Sequence, residues 1–270
     1  MRQEVVLITG ASSGFGRLAA DRLARHGYRV FGTSRRPQLQ HDRPYPMLTL
    51  DVRNDESVHA AVEQVLRDTG RLDVLVNNAG YALASLIEEA KIDEAKGVFE
   101  TNFWGAVRMT KAVLPAMRGR RSGRIINISS LAGLIGVPGE GFYSATKFAL
   151  EGYTESLAHE VRVFNIHVSL IEPGYFKTGF GQARKEGTDL IPDYNPIRGR
   201  IMAAFDEGAR LGGDPAKVAA LIQQVIETPR PRLRYRVGHD SAWLPRLRGL
   251  MPQKMFAWGT RKVFHIPGKI

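Results

Sequence analysis

The amino-acid sequence predicts an α/β fold, a doubly wound parallel sheet with helices on both faces, built as a single domain. Apolar runs rich in valine, isoleucine and leucine recur along the 270 residues, as expected of strands buried on both faces of a parallel sheet. Segments with apolar residues at helical spacing separate these runs. Small and polar residues follow the runs, where open α/β sheets bind their ligands.

Composition limits the classes of function. The absence of cysteine excludes disulfides and thiolate chemistry, and the seven histidines show no metal-ligand spacing. The net charge is +11, and residues 228–270 hold ten Lys or Arg against one Asp. The rest of the chain is therefore nearly neutral, and nucleic-acid binding is not expected. The N-terminal apolar run is too short for a signal peptide and no later run reaches about 18 residues, so a soluble cytoplasmic protein is expected.

The first strand and helix have the pattern of a dinucleotide site. A predicted strand over residues 5–8 runs into a glycine loop, residues 9–16, and then into apolar residues at helical spacing. Glycines let a backbone approach a pyrophosphate, and the helix N-terminus offers it free N–H groups and a partial positive charge. An ordinary βα turn also favours glycine, but strand, loop and helix in this order favour a dinucleotide.

The end of the second strand indicates which dinucleotide. The strand, predicted over residues 28–33, is followed by Arg35 and Arg36. A cofactor without a 2′-phosphate calls for an acidic residue here, whereas arginines suit the phosphate. The sequence therefore predicts NADP(H), with a hydroxyl of Ser12 or Ser13 as a further contact. Alternatively, the two arginines are solvated loop charges.

Polar residues at the ends of later strands extend the candidate site. Asp51 could contact an adenine or cap the following turn. Asn102, inside a long predicted helix, could face solvent, or disturb the hydrogen-bond ladder and hold a water. Further strands are predicted over residues 47–50, 72–76, 123–130 and 166–171, and helices over 55–68, 92–117, 142–163 and 215–227.

Tyr143 and Lys147 lie four residues apart in a predicted helix and therefore share one face. An ammonium about 4 Å from a phenol, at an effective dielectric of ~20, is worth roughly 4 kcal/mol and would lower the pKa of the phenol by about 3. Such a tyrosine could exchange a proton with an alcohol or ketone near neutral pH. By itself, the pair could equally lie exposed on a solvated helix face.

With these features assembled, residues 3–180 resemble the classical short-chain dehydrogenase/reductase family, whose members have a Rossmann fold. The resemblance rests on Thr9-Gly10-x-x-x-Gly14-x-Gly16, Asp51, Asn77-Asn78-Ala79-Gly80, Asn102, Ser130, Tyr143-x-x-x-Lys147 and Pro173-Gly174 with Thr178. Phe15 stands where the family often has isoleucine. The implied chemistry is hydride transfer between a nicotinamide and a carbonyl carbon while a tyrosine passes a proton to the oxygen.

The resemblance implies a role for each matching residue. Tyr143 would be the catalytic acid/base, and Lys147 would lower its pKa and hold the nicotinamide ribose. Ser130, thirteen positions before the tyrosine as in the family, would bind the substrate oxygen in preference to Ser129, and Asn102 would anchor a water of the proton relay. The cofactor residues would be Gly10, Ser12, Ser13, Gly14, Phe15, Gly16, Arg35, Arg36, Asp51, Val52, Asn78, Ala79, Gly80, Tyr143, Lys147, Pro173, Gly174 and Thr178.

The remaining segments concern the substrate. Residues 175–211 mix glycine, proline, charged and apolar residues, as expected of a partly helical lid over an apolar substrate. Residues 141–152 are similar to hydroxysteroid and retinol dehydrogenases, which favours the same substrate class. Alternating arginines over residues 232–237 predict a strand whose charges prevent aggregation at a sheet edge. The basic, aromatic extension, residues 239–270, is a flap or subunit contact, a solvated terminus, or a cationic membrane-surface patch.

The sequence thus predicts an NADP(H)-dependent oxidoreductase that interconverts an alcohol and a ketone or aldehyde on an apolar small molecule, and that forms a homo-oligomer. One alternative is a non-catalytic NADP(H)-binding sensor or scaffold that engages an acidic partner through its basic tail. Such a protein can dispense with the tyrosine or the lysine, whereas this chain retains both. A second alternative is an NAD(H)-preferring enzyme with incidental arginines.

Overall fold

The computed structural model describes residues 3–37, 43–177 and 184–268. The strands are β1 (Val5–Ile8), β2 (Arg29–Ser34), β3 (Met47–Thr49), β4 (Val74–Asn77), β5 (Leu83–Ala84), β6 (Gly123–Ile128), β7 (Ile166–Pro173), β8 (Lys185–Glu186) and β9 (Arg234–Val237). The helices are α1 (Gly14–Arg25), α2 (Asp55–Thr69), α3 (Ile92–Phe99), α4 (Gly105–Arg120), α5 (Gly141–Glu160), α6 (Asn195–Leu211), α7 (Ala216–Glu227), α8 (His239–Leu250) and α9 (Gln253–Val263).

Seven of the described strands form one parallel sheet in the order β3-β2-β1-β4-β6-β7-β9. The chain moves outward from β1 in one direction up to β3 and then returns to β4 on the other side of β1. Ligands of such sheets bind at this reversal, outside the carboxyl ends of the strands. The predicted single-domain α/β fold with a doubly wound parallel sheet is confirmed.

Helices cover both faces of the sheet, which explains the continuous apolar runs in its strands. On one face, α1 and α7 pack their alanine, leucine, valine and isoleucine side chains against β1, β4 and β6. On the other face, α2, α4 and α5 contribute a second buried cluster. The sheet is therefore held rigidly, and the loops at its carboxyl edge start from fixed positions.

The helix predicted over residues 92–117 changes its winding at Asn102. Between α3 and α4, residues 100–104 form a π-helical turn in which Asn102 is buried. The Asn102 Oδ1 accepts a hydrogen bond from Tyr81 N at 3.0 Å, and its Nδ2 donates to Tyr81 O at 2.9 Å. Asn102 thus disturbs the ladder and ties this turn to the loop after β4, whereas the solvent-facing alternative is wrong.

The lid and the C-terminal extension close the carboxyl edge of the sheet with a third buried cluster. Phe205 of α6 and Phe264, just after α9, meet edge to face with ring centroids 5.7 Å apart, and Leu244 and Phe256 pack against this cluster. Residues 178–183 of the predicted lid lie outside the described residues. Among the helices that the structure describes, none is long and apolar enough to cross a bilayer.

Candidate active site

A cavity of about 460 Å³ opens at the carboxyl ends of β1, β4 and β6, beneath the lid. Most of the predicted cofactor residues line it: Gly10, Ser12, Ser13, Gly14, Phe15, Arg35, Asp51, Val52, Asn78, Ala79, Gly80, Tyr143, Lys147, Pro173 and Gly174. Gly16 and Arg36 lie outside its lining, and Thr178 falls outside the described residues. A volume of this size matches that of small-molecule and cofactor pockets.

The glycine loop has the form of a phosphate cradle. Gly10 and Gly14 have φ angles of +66° and +54°, which L side chains rarely adopt. A Cβ at Gly16 would fall 2.5 Å from Gly10 O and against the Asn78 side chain, so only glycine fits there. Ser13, the N-cap of α1, makes no side-chain capping bond, and the first turn holds no acidic residue. These residues therefore fit an anionic group at the helix N-terminus.

Asn78, directly after β4, holds the glycine loop in place. Its Nδ2 donates to Thr9 O at 2.9 Å and to Gly10 O at 3.0 Å. The Thr9 hydroxyl in turn accepts from the backbone N–H groups of Asn78 and Ala79 at 2.9 and 3.0 Å. The amide of Asn78 is thus used to shape the cradle, and Thr9 is a positioning residue to which the sequence analysis gave no role.

A second arginine, Arg53, lies beside Arg35 at the end of the cavity that holds Asp51. Arg53 grips Asp51 through both carboxylate oxygens, at distances from 2.6 to 3.2 Å. Arg53 and its hydrogen bonds hold the pKa of Asp51 below its usual value. Asp51 Oδ1 also accepts from the Arg53 backbone N–H at 3.0 Å, which is the turn-capping role anticipated as an alternative. Its contact with an adenine remains a prediction.

Tyr143 and Lys147 lie in the first turns of α5 and are each only 6% exposed, so the solvated-pair alternative is wrong. Lys147 Nζ donates to Ile128 O, at the end of β6, at 2.8 Å and lies 5.6 Å from the centroid of the Tyr143 ring. The hydroxyl of Ser130 hydrogen-bonds the Tyr143 side chain. Sheet and helix therefore bring a hydroxyl, a phenol and an ammonium to one end of the cavity.

The direction of the Tyr143 pKa differs from the expectation. Burial raises the pKa of Tyr143 above its usual value, Glu140 raises it further, and the Ser130 hydrogen bond only partly opposes them. Burial also lowers the pKa of Lys147 to about 8. The predicted lowering by Lys147 is therefore wrong for the protein alone, because the ammonium faces the tyrosine ring and Ile128 O. At neutral pH, Tyr143 is a protonated phenol that can donate.

Behind Tyr143 and Lys147 lies a charged cluster that the sequence did not indicate. Arg234 contacts Glu151 at 3.2 Å and the fully buried Glu172 at 3.4 Å, and Arg236 contacts Glu172 at 3.2 Å. Burial, followed by Glu172, raises the pKa of Glu151 to about 7, and Ser129 faces this carboxyl rather than Tyr143. Arg234 and Arg236 lie on β9, the edge strand as expected, and they are also ion-pair partners of buried carboxylates, which the sequence did not indicate.

The far end of the cavity combines apolar and ionisable side chains. Leu131, Val137 and Phe205 supply apolar walls, whereas Glu140, Tyr175, Arg184 and Lys185 supply polar groups. Burial raises the pKa of Glu140 to about 7. The loop between β6 and α5, the segment after β7 and the lid meet here, so this end is formed by residues far apart in the sequence.

Comparison with known proteins gives one consistent result. The chain matches the short chain dehydrogenase family over residues 4–189. It is 44% identical to the 3-ketodihydrosphingosine reductase of Bacteroides thetaiotaomicron, over 91% of this chain and 94% of that protein. It is 39% identical to retinol dehydrogenase 8 of Bos taurus, over 92% of this chain and 85% of that protein.

Solved structures agree with the sequence matches. A short-chain dehydrogenase from Streptomyces avermitilis superposes with a TM-score of 0.82 and 37% identity, covering 96% of this chain and 98% of that one. A Burkholderia phymatum short chain dehydrogenase/reductase in complex with NAD has a TM-score of 0.80 at 26% identity, over 92% and 93% of the two chains. A serine dehydrogenase complexed with NADP⁺ has a TM-score of 0.75 at 28% identity, over 86% and 94%. The fold therefore occurs with either cofactor.

Proposed function

This chain belongs to the short-chain dehydrogenase family, and we propose that it uses NADP(H) to interconvert an alcohol and a ketone or aldehyde on an apolar small molecule. The observation that carries the proposal is the buried cluster of Ser130, Tyr143 and Lys147 at the end of a cavity that begins at a phosphate-binding glycine loop. A scaffold that only binds the cofactor could use Lys147 on the ribose, but it has no need of a buried phenol hydrogen-bonded to Ser130.

In the proposed mechanism, bound NADP(H) supplies or accepts the hydride. Tyr143, a protonated phenol at neutral pH, donates a proton to the carbonyl oxygen as negative charge develops there. The Ser130 hydroxyl, which bonds the phenol in the protein alone, turns to donate to the same substrate oxygen and fixes its position. Lys147 stabilises the phenolate that remains, and the π-helical turn at Asn102 is the proposed place for a water that returns the proton.

The preference for NADP(H) rests on Arg35 and Arg53, which line the adenosine end of the cavity. Since Arg53 is already paired with Asp51, we assign Arg35 to the 2′-phosphate. Arg35→Asp removes a charge-assisted hydrogen bond and adds a repulsive charge, so it should raise the NADPH dissociation constant by about 100-fold. It should change the NADH dissociation constant by less than about threefold. Equal effects on both cofactors would refute this assignment.

The proposed substrate class rests on the walls of the cavity. Leu131, Val137 and Phe205 form an apolar surface beside Tyr143, and Phe205 is contributed by α6 of the predicted lid. Two relatives bear names of enzymes for a ketodihydrosphingosine and for retinol, which supports an apolar substrate here as well.

The decisive experiment is NADPH oxidation by the purified protein against long-chain, retinoid, steroid and aryl carbonyl compounds. Tyr143→Phe, which keeps the ring and removes the proton, should lower turnover by at least about 1,000-fold while NADPH still binds. Tight NADPH binding without turnover across the panel would instead support the sensor alternative and direct attention to the basic tail. Turnover that survives in Tyr143→Phe would refute the catalytic assignment.

We also propose a homo-oligomer in the cytoplasm. Two large apolar side chains, Trp104 and Phe148, are 46% and 40% exposed on the helical layer that carries the catalytic residues, which supports a subunit contact. Sedimentation velocity of the wild type and of Trp104→Ser with Phe148→Ser tests this proposal. A wild type that sediments as a monomer across micromolar concentrations would refute it.

A further inference from the structure

The two helices of the C-terminal extension, α8 and α9, bury one side only. Leu244 of α8 and Phe256 of α9 pack against a buried cluster that contains Phe205 of the lid. The same cluster contains Leu131 and Tyr143, which line the cavity. The inner side of both helices therefore backs the wall of the cavity, and their opposite side faces away from it.

The opposite side of the two helices is apolar and exposed. Trp243, Leu247 and Leu250 recur at helical spacing on α8, and so share one face. Met255 and Trp258 lie three residues apart on α9. The exposed fractions of these five side chains, which we call the outer face, range from 41% to 85%. Exposed apolar residues that are scattered singly need no explanation, whereas a concentrated set marks an interaction surface.

Cations lie among the residues of the outer face. Arg246 is placed over the Trp243 ring, 5.6 Å from its centroid, and Lys262 over the Trp258 ring, 5.5 Å from its centroid. Lys254 is exposed in the first turn of α9. Within the described ranges of the chain, none of these three cations has an ion-pair partner. The outer face thus combines large apolar side chains with uncompensated positive charge.

The charge of this surface restricts what can cover it. Residues 239–268 contain one acidic residue, Asp240. Its carboxylate accepts a hydrogen bond from the Tyr175 backbone N–H at 2.7 Å, on the inner side of α8. In a twofold contact with a second copy, the same patch lies on both subunits, so the cations would face like charges. The occupant that fits is one with a negatively charged surface and an apolar interior.

We infer that the outer face docks onto the surface of an anionic lipid bilayer, with α8 and α9 lying among the headgroups. This inference goes beyond the proposed function. In helices of this kind, Trp and Leu side chains enter the boundary between headgroups and acyl chains, while Lys and Arg are attracted to anionic lipids. Because the inner side of the same helices backs the cavity wall, docking holds the cavity close to the bilayer, where apolar compounds are concentrated.

The first measurement is the partition coefficient of the full-length protein on sucrose-loaded vesicles, obtained by co-sedimentation. One set of vesicles is phosphatidylcholine alone, and the other contains about 30% phosphatidylglycerol. At about 0.1 M salt we expect the partition coefficient to be at least about 30-fold higher on the anionic vesicles. It should fall at least about tenfold at about 0.5 M salt, because salt screens exposed charges.

A pair of double variants separates the local charge from the net charge. Each Lys near an anionic surface strengthens binding about fivefold, so Lys254→Gln with Lys262→Gln should lower the partition coefficient by about 20-fold. Lys96→Gln with Lys111→Gln is the matched control, because it removes the same net charge from exposed positions on α3 and α4. The control should lower the partition coefficient by less than about threefold.

A second pair of double variants tests the apolar side chains. Leu250→Ser with Trp258→Ser should lower the partition coefficient on anionic vesicles by at least about tenfold, because both side chains lose their burial in the bilayer. Ile92→Ser with Val163→Ser, at positions that are each 65% exposed, is the matched control and should leave it unchanged. Thermal unfolding checks that each variant folds.

Tryptophan fluorescence locates the contact without altering the outer face. The chain has three tryptophans, so in Trp104→Phe the remaining two are Trp243 and Trp258. Their emission should shift to shorter wavelength on anionic vesicles, and lipids brominated in the upper acyl chain should quench it.

Four results would overturn the inference. The first is a wild type that does not sediment with anionic vesicles, and the second is equal losses in the two double lysine variants, which would indicate binding by net charge alone. The third is tryptophan emission that brominated lipids do not quench. The fourth is a dimer that Leu250→Ser with Trp258→Ser converts to a monomer while no vesicles are bound, since the outer face would then contact a second copy.

Vesicle binding requires neither cofactor nor substrate, so its outcome is separate from that of the proposed function. Absence of turnover with intact vesicle binding would count against the proposed function alone. Absence of vesicle binding with intact turnover of carbonyl compounds would count against this inference alone.

Discussion

Replacing Lys147, the proposed catalytic lysine, should stabilise the protein while inactivating it. Lys147 is 6% exposed, and burial lowers its pKa from 10.5 to about 8. Since the pKa of Lys147 is lower in the folded than in the unfolded protein, folding disfavours its charged form and the free energy of unfolding is reduced. This reduction is fully present below about pH 8 and vanishes as the pH rises past 10.5. At pH 7 the shift corresponds to about 3 kcal/mol, at about 1.4 kcal/mol per pKa unit.

Lys147→Met keeps the length of the side chain and removes the charge. It also removes the Lys147 hydrogen bond to Ile128 O, worth about 1 kcal/mol, whereas Glu151 retains its contact with Arg234. We therefore expect the free energy of unfolding at pH 7 to rise by about 2 kcal/mol. At pH 9.5 the free-energy cost of the buried ammonium falls to about half. The rise in the free energy of unfolding of Lys147→Met over wild type should then nearly disappear.

The assay is urea denaturation of the cofactor-free protein at pH 7 and pH 9.5, with NADPH oxidation measured in parallel. Lys111→Met, at an exposed position of α4, is the control for replacing a lysine and should show no pH-dependent gain. A Lys147→Met variant that is less stable than wild type at pH 7, or whose gain is the same at both pH values, would refute the reasoning. Retained activity would refute the catalytic role of Lys147.

Two further predictions concern the cradle and the lid. Gly16→Ala places a Cβ 2.5 Å from Gly10 O, so the glycine loop must shift. We expect the NADPH dissociation constant, measured by fluorescence titration, to rise at least about tenfold. An unchanged dissociation constant would contradict the role of this loop as a phosphate cradle. Arg198→Met removes the ion-pair partner of the fully buried Glu89. The free energy of unfolding, measured by urea denaturation, should therefore fall by about 3–5 kcal/mol, and the double variant with Glu89→Gln should recover part of this loss. An unaltered stability would contradict the ion pair.

Much of the fold and of the cofactor site followed from local features of the sequence. The buried runs that became β1, β4, β6 and β7 could be recognised because a strand covered on both faces has no polar side to interrupt it. Parallel strands bring their carboxyl ends to one edge, so the residues following them had to meet there. Helical spacing likewise placed Tyr143 and Lys147 on one face, and the glycine loop needed only the order of strand, loop and helix.

Only the tertiary structure decided how those groups behave. The pKa of Tyr143 is raised rather than lowered because α5 packs so that both catalytic side chains lose solvent, a property that i, i+4 spacing does not contain. The partners of Arg234 lie 62 or more positions earlier in the chain, at Glu151, Glu155 and Glu172, so no local pattern pairs them. Sequence spacing determines which residues meet, whereas burial and distant charges determine their protonation, and both of these depend on the packing of the whole chain.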